Sequence, residues 1–247
     1  MLKQSHSTKM SQFLLALFII LSAIPLFYSP ADCLQKKEPL QVDMNALVGE
    51  TQVQPPNEAD RLNIVWWIPI EFWEGVFASD SSVSAADKSA YMAAIHDYSL
   101  LAVCQADIGA FGSFDFYPED RVRQGMRVSL TDSIGTAQEI TVIADLTSDL
   151  EIILGVFKPI LKAAMGNMGA NMHFFVLPDR YNPEERLIDP YRRGQLSVSL
   201  TQSEGKVVNC GIEFPLNSLF VPRLCPNGKE AHVSWNYCPW TGKKLSD

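Results

Sequence analysis

Gln195-Leu-Ser-Val-Ser-Leu-Thr-Gln202 alternates apolar and polar residues without a break, the period of a half-buried β-strand. Leu196, Val198 and Leu200 are expected to face a core, with the serines turned to solvent. Glu204-Gly205 then turns the chain into Val207-Val-Asn-Cys-Gly-Ile-Glu-Phe214, a second strand that follows directly on the first. Strand joined to neighbouring strand is the signature of antiparallel pairing, and it recurs outward from here. Arg127-Val-Ser-Leu-Thr131 and Glu139-Ile-Thr-Val-Ile143 flank Asp132-Ser-Ile-Gly-Thr-Ala137, a hairpin in which Gly135 takes the unusual dihedral.

Further strands are expected at Ile64-Val-Trp-Trp-Ile-Pro69, at Leu100-Leu-Ala-Val-Cys104, whose continuous apolar run suits a central position, and at Ser113-Phe-Asp-Phe-Tyr117. Met172-His-Phe-Phe-Val-Leu-Pro178 is another, and Ala231-His-Val-Ser-Trp-Asn-Tyr-Cys238 closes the chain as a short one. Two helices stand out. The first, about 85–96, starts after Ser84, which can cap its amides. The second, 148–168, has Ser148 and Glu151 at capping-box spacing, apolar residues at a helical period, Pro159 inside it and Gly166 and Gly169 to stop it. Its apolar arc is wide enough to suit a partner or a membrane surface, though a helix lying over a sheet is the simpler reading. No βαβ alternation occurs. The expected class is α+β, mainly an antiparallel sheet or partial sandwich covered by two helices.

The N-terminus carries a different message. Lys3 and Lys9 precede an apolar run from Phe13 to Tyr28 and then Ser29-Pro-Ala-Asp-Cys33, the layout of an export signal. The run contains Pro25 and is shorter than the about 20 residues a membrane span needs. Residues 1–31 are read as a signal peptide cleaved after Ala31. A lipidated Cys33 and an uncleaved anchor are the rivals. Residues 32–60, rich in Gln, Glu, Lys, Pro and Asn, are read as a flexible tether, and 61–247 as one α+β domain with a cysteine-bearing C-terminal hairpin. Losing Lys3 and Lys9 moves the net charge from -8 to -10. That acidity excludes nucleic acid as a natural partner and leaves the membrane only an N-terminal anchor.

Cys225-Pro-Asn-Gly228 and Tyr237-Cys-Pro-Trp-Thr-Gly-Lys-Lys-Leu245 resemble degenerate zinc-ribbon knuckles. Thr241 and Gly228 stand where the second cysteine of each knuckle belongs, so half the ligands of a closed zinc site are missing. In an exported chain the expected bond is a disulfide between Cys225 and Cys238, stabilising by about 3 kcal/mol. A metal site from Cys210, Cys225, His232 and Cys238 is the chemical alternative. Cys104 reads as a buried thiol that can pair with Cys210. Trp66-Trp-Ile-Pro-Ile-Glu-Phe-Trp73, Gly109-Ala-Phe-Gly112 and Gly169-Ala-Asn-Met-His-Phe-Phe175, with the cysteine tail, resemble an uncharacterised family of exported bacterial proteins. The resemblance implies an envelope location and assigns no activity.

Catalytic signals are sparse: no HExxH, no phosphate-cradling glycine loop and no nucleophile elbow. His173, Asp115, Glu119 and Asp120 are the candidates for acid–base work. Carboxylates there serve only if their environments split their pKa values. Glu71, Trp73 and Glu74, with Trp240, are the better candidates for recognition, since tryptophan offers rigid stacking area and carboxylates add hydrogen bonds. Trp73 and Trp240 are expected to be exposed. No cofactor is implied. These residues lead to an exported, envelope-associated binding or assembly domain for a protein or glycan, without catalytic activity. The alternative is a hydrolase of an envelope polymer working through the carboxylates near 115–120.

Overall fold

A computed structural model describes residues 34–55 and 60–245. The expected leader, its cleavage after Ala31 and the lipidation of Cys33 fall outside the described residues.

Two antiparallel sheets stack face to face. In the first, β2 (Arg61–Ile68) pairs with β3 (Tyr98–Ile108), bringing Trp66 opposite Ala102. The free edge of β2 takes the short β1 (Gln52–Val53), and the other edge of β3 is shared by β4 (Phe114–Phe116) and β7 (His173–Pro178). In the second sheet, β10 (Gly194–Thr201) lies between β5 (Met126–Asp132) and β11 (Val207–Phe214), and β6 (Ala137–Ile140) flanks β5. Val198 sits opposite both Val128 and Cys210. Two small pairs complete the strands: β8 (Arg180–Asn182) with β9 (Glu185–Arg186), and β12 (Arg223–Leu224) with β13 (Glu230–Ala231).

Strand alternation sends the residues of the first sheet to one of two cores. Val65, Trp67, Leu101, Val103, Phe175 and Leu177 meet Val128, Leu196, Val198, Leu200 and Ile212 of the second sheet. Ile64, Trp66, Ile68, Leu100, Ala102 and Val176 point the other way. There they are covered by α2 (Ile70–Ser79), α3 (Ala85–Ile95) and α5 (Ser148–Met165). The fold is therefore helices, sheet, sheet, in three layers. Among the described residues no helix is long and apolar enough to cross a membrane.

Antiparallel pairing, the α+β class, the Ser84 cap and the positive φ of Gly135 agree with the sequence reading. Several expectations need correction. Residues 34–55 are packed onto the body: Lys37 N–H donates to Leu219, and α1 (Met44–Thr51), capped by Asp43, buries Leu47 completely in the sandwich core. The cover comprises more than two helices, because α2 and α4 (Glu119–Gly125) also form. Thr147 rather than Ser148 caps α5. The expected strand at 231–238 is interrupted: β13 pairs only at its start, Arg223 and Asn217 hold the backbone at 233–235, and a single antiparallel bridge joins Tyr237 to Lys244. Cys104 belongs to the helix-facing core and Cys210 to the inter-sheet core, so the first sheet separates them. Behind α5, α6 (Asn167–Ala170) approaches so closely that a Cβ on Gly169 would sit 2.0 Å from the Leu161 carbonyl oxygen.

Candidate functional site

One end of the second sheet, where β10 begins and β11 finishes, gathers two clefts that share Phe214. The first, about 290 Å³, opens between β5 and the segment 181–194, with Arg186 and Asp189 in its wall. Behind Arg186 lies a buried cluster of charge. Its guanidinium donates through Nη1 and Nη2 to Glu71, and through Nη2 to Asp179 at 2.8 Å. Both carboxylates are almost wholly removed from solvent, Asp179 at 0 % exposure. Two acids on one base leave a charge unmatched. Burial pushes the Asp179 carboxyl up to about 7, and Glu71 adds to that push while Arg186 opposes it. Burial, reinforced by Glu71, also raises Glu74. The cluster pins the charged segment after β7 to α2. One Asp179 oxygen is left buried without a hydrogen-bond partner.

The second cleft, about 570 Å³, lies between the end of α1, the end of β11 and the C-terminal tail. Glu50, Gly211, Glu213, Pro215, His232 and Trp235 line it. The tail loop carrying His232 and Trp235 is fixed from three sides. Arg223 Nη2 donates to the carbonyls of Val233 and Trp235, Asn217 Oδ1 accepts from Val233 N–H at 2.9 Å, and Arg193 donates to Ser234 O at 3.2 Å. Glu50 in turn accepts from the amides of Asn217 and Ser218 at 3.0 and 2.9 Å. His232 Nδ1 accepts from Ser234 N–H, so the neutral ring carries its proton on Nε2, as a donor. Trp235 stacks edgewise on Trp240, ring centres 5.8 Å apart, and Lys229 lies over Trp240. Tyr237 and Trp240 are exposed beside them. On the outer face of the second sheet Ser197, Ser199 and Asn209 present short polar groups, with Ser199 Oγ donating to Asn209 Oδ1 at 2.7 Å.

The residues expected to form a recognition cluster are dispersed. Trp240 is exposed, at 49 %, as anticipated. Trp73 is buried in the helix-facing core against Phe157 and Tyr91, because the α2 that carries it packs on the first sheet. Glu71 is the buried partner of Arg186, and Glu74 is half-buried beside it. Asp115, Glu119 and Asp120 are exposed and line neither cleft, and Glu119 pairs with Arg123 at 2.8 Å. His173 donates through Nε2 to the Tyr117 backbone oxygen at 2.8 Å, a structural contact between β7 and the loop after β4, and lines neither cleft.

Cys225 and Cys238 adjoin as free thiols in a small core with Ala231 and Leu245. Burial pushes both thiols up. At Cys238 hydrogen bonds from Cys225, Thr241 and the amides of Trp240 and Thr241 outweigh it and bring the value down to about 7, whereas Cys225 stands at about 11. Each of these cysteines opens a tight turn, with Gly228 N–H donating to Cys225 O and Gly242 N–H to Cys238 O. Cys210 is not with them: it lies in the inter-sheet core. Among the described residues no group of three or more His, Cys, Asp or Glu side chains is placed to hold a metal ion.

Sequence reasoning missed Glu50, Glu213 and Trp235, which build the larger cleft. Trp235 had a signal, an aromatic set between polar residues beside the tail cysteine. Glu50 sat in a segment read as tether. No family model, curated protein or solved structure matches the chain.

Proposed function

We propose that this chain is an exported, envelope-associated binding domain without catalytic activity, and that it holds a hydroxyl-rich envelope glycan in the cleft beneath Trp235. The observation that carries the reading is the fixed loop 232–235, which holds an indole and a histidine donor over two carboxylates at the edge of a flat polar sheet face. A binding site gains affinity when its contact groups are ordered before the ligand arrives. An indole edge or face supplies stacking area, and the Glu50 and Glu213 carboxylates accept hydrogen bonds from hydroxyls. Both carboxylates already receive donors, Glu50 from two amides and Glu213 from Gln195, which suits holding a ligand better than moving a proton. The leader layout in the sequence supports the envelope as the setting. The hydrolase reading has no comparable support, since Asp115, Glu119 and Asp120 are solvated and apart from both clefts.

Titration with soluble cell-wall glycan fragments, followed by tryptophan fluorescence, tests the proposal. Wild-type protein should saturate, and Trp235→Ala should weaken binding by about tenfold or more while leaving the circular dichroism spectrum unchanged. Equal binding by the variant, or no saturation by wild type, would contradict it.

A further inference from the structure

The tail has a small core of its own, separate from both main ones, made of Cys225, Ala231, Cys238 and Leu245. Each cysteine is held by the backbone of its turn. Cys225 N–H donates to Lys229 O and Cys238 N–H to Lys243 O, both at 2.8 Å. Two independent turns thereby set the sulfurs side by side, and Cys225 donates its S–H to the sulfur of Cys238. Residues 226–230 and 239–244 are exposed, so the pair is covered by the turns themselves rather than by a sheet or a long helix.

The two thiols are not equivalent. The amides of Trp240 and Thr241 and the Thr241 hydroxyl also donate to Cys238 Sγ. Donors aimed at one sulfur stabilise it as the thiolate, the form that reacts. Burial raises Cys238, but these bonds outweigh it and set the value at about 7. Burial, the bond to Cys238 and the charge there hold Cys225 at about 11. We propose that this pair is an oxidisable centre for hydrogen peroxide, in which Cys238 is the attacking sulfur, Cys225 resolves the product, and the two close to a disulfide.

The Cys238 thiolate attacks one peroxide oxygen. An S–O bond forms, the O–O bond breaks, and the departing hydroxide takes up the proton that Cys238 had released to solvent, leaving as water. Cys238 is then a sulfenic acid, and the negative charge that helped to hold the Cys225 proton is gone. Cys225 gives up that proton and its sulfur attacks Cys238 Sγ. The S–O bond breaks, and hydroxide leaves with the proton as a second water. Two thiols are oxidised to one disulfide, and one peroxide is reduced to two waters.

Size and selectivity fit this oxidant. Hydrogen peroxide is little larger than water and can reach a sulfur beneath a turn, where a bulky disulfide is obstructed. Cys104 and Cys210 lie in different main cores, and burial pushes each up to about 11, so neither has a reactive thiolate or a partner thiol. A closed zinc site fits less well, because among the described residues no third His, Cys, Asp or Glu joins the two sulfurs.

The test is to reduce the full chain, expose it to hydrogen peroxide near neutral pH, alkylate it, and map the cysteines by mass spectrometry. The Cys225 and Cys238 peptides should emerge joined, while Cys104 and Cys210 are alkylated only after unfolding. In Cys225→Ser a sulfenic acid should persist at Cys238 and be captured by dimedone. In Cys238→Ser the oxidation of Cys225 should slow by about tenfold or more. The wild-type map stands whether or not the variants fold. An unlinked pair, oxidation of Cys104 or Cys210 at the same rate, or dimedone on Cys225 in wild type would overturn the proposal. So would a pair shielded from alkylation by a bound zinc or copper ion.

Discussion

Asp179 shows how one side chain can tie stability to pH. Its carboxyl is buried beside Glu71 on a single guanidinium and gives up its proton at about 7, whereas in the unfolded chain the ordinary value is 3.8. Between those values the folded protein holds more of the proton than the unfolded one. The Asp179 contribution is therefore fully present below the unfolded value and is lost as pH rises through about 7. Urea midpoints should fall between about pH 4 and pH 8, and Asp179→Asn should flatten that fall, because an amide keeps the Arg186 contact without a charge to expose. An identical slope in the variant would contradict the assignment. Nothing in the sequence flags this cluster. Glu71 stands among tryptophans and invites a recognition reading, while its partner Arg186 lies 115 residues away. The single-residue signals that were legible were local ones: the Ser84 cap, the turn at Gly135 and the alternation of Leu196, Val198 and Leu200.

At the scale of elements, the strands were legible and the short helices were not. A strand of alternating residues needs only its own sequence to show which face is buried. The helix α1 offers one fully buried apolar residue, Leu47, in a stretch of polar composition, so its docking depends on a site built by β11 and the loop near Ser218. Leu47→Ala should cost about 2–5 kcal/mol of unfolding free energy by urea denaturation, the ordinary result for a buried leucine. A loss under about half a kcal/mol would mean that the segment is the tether its composition suggests. The tail errs in the opposite direction. Ala231 to Cys238 has a strand-like pattern, but Arg223 takes the carbonyls of Val233 and Trp235 and Asn217 the amide of Val233, so pairing is confined to the two ends of the stretch. Long-range side-chain partners of this kind leave no periodic trace. The same partners shape the larger cleft, which is why the cysteine-bearing end was recognisable as special while its use was not.

For the whole molecule, antiparallel hairpins made the class readable, and the third layer explains what was misjudged. With one core on each side of the first sheet, Trp66 and Trp67 are both buried, and Trp73 is buried with them beneath α5. At the tail Trp235, Tyr237 and Trp240 keep exposed aromatic area, and Trp235 lines the cleft with Glu50 and Glu213. The described body thus places the cleft of about 570 Å³ at one end of the second sheet and the exposed apolar side of α5 in the outer layer on the other side of the first. Amide hydrogen exchange with and without cell-wall glycan fragments addresses the central claim most directly. The account predicts slowed exchange concentrated at residues 211–214 and 232–235, whereas protection absent from both segments, or confined to 115–120, would contradict it.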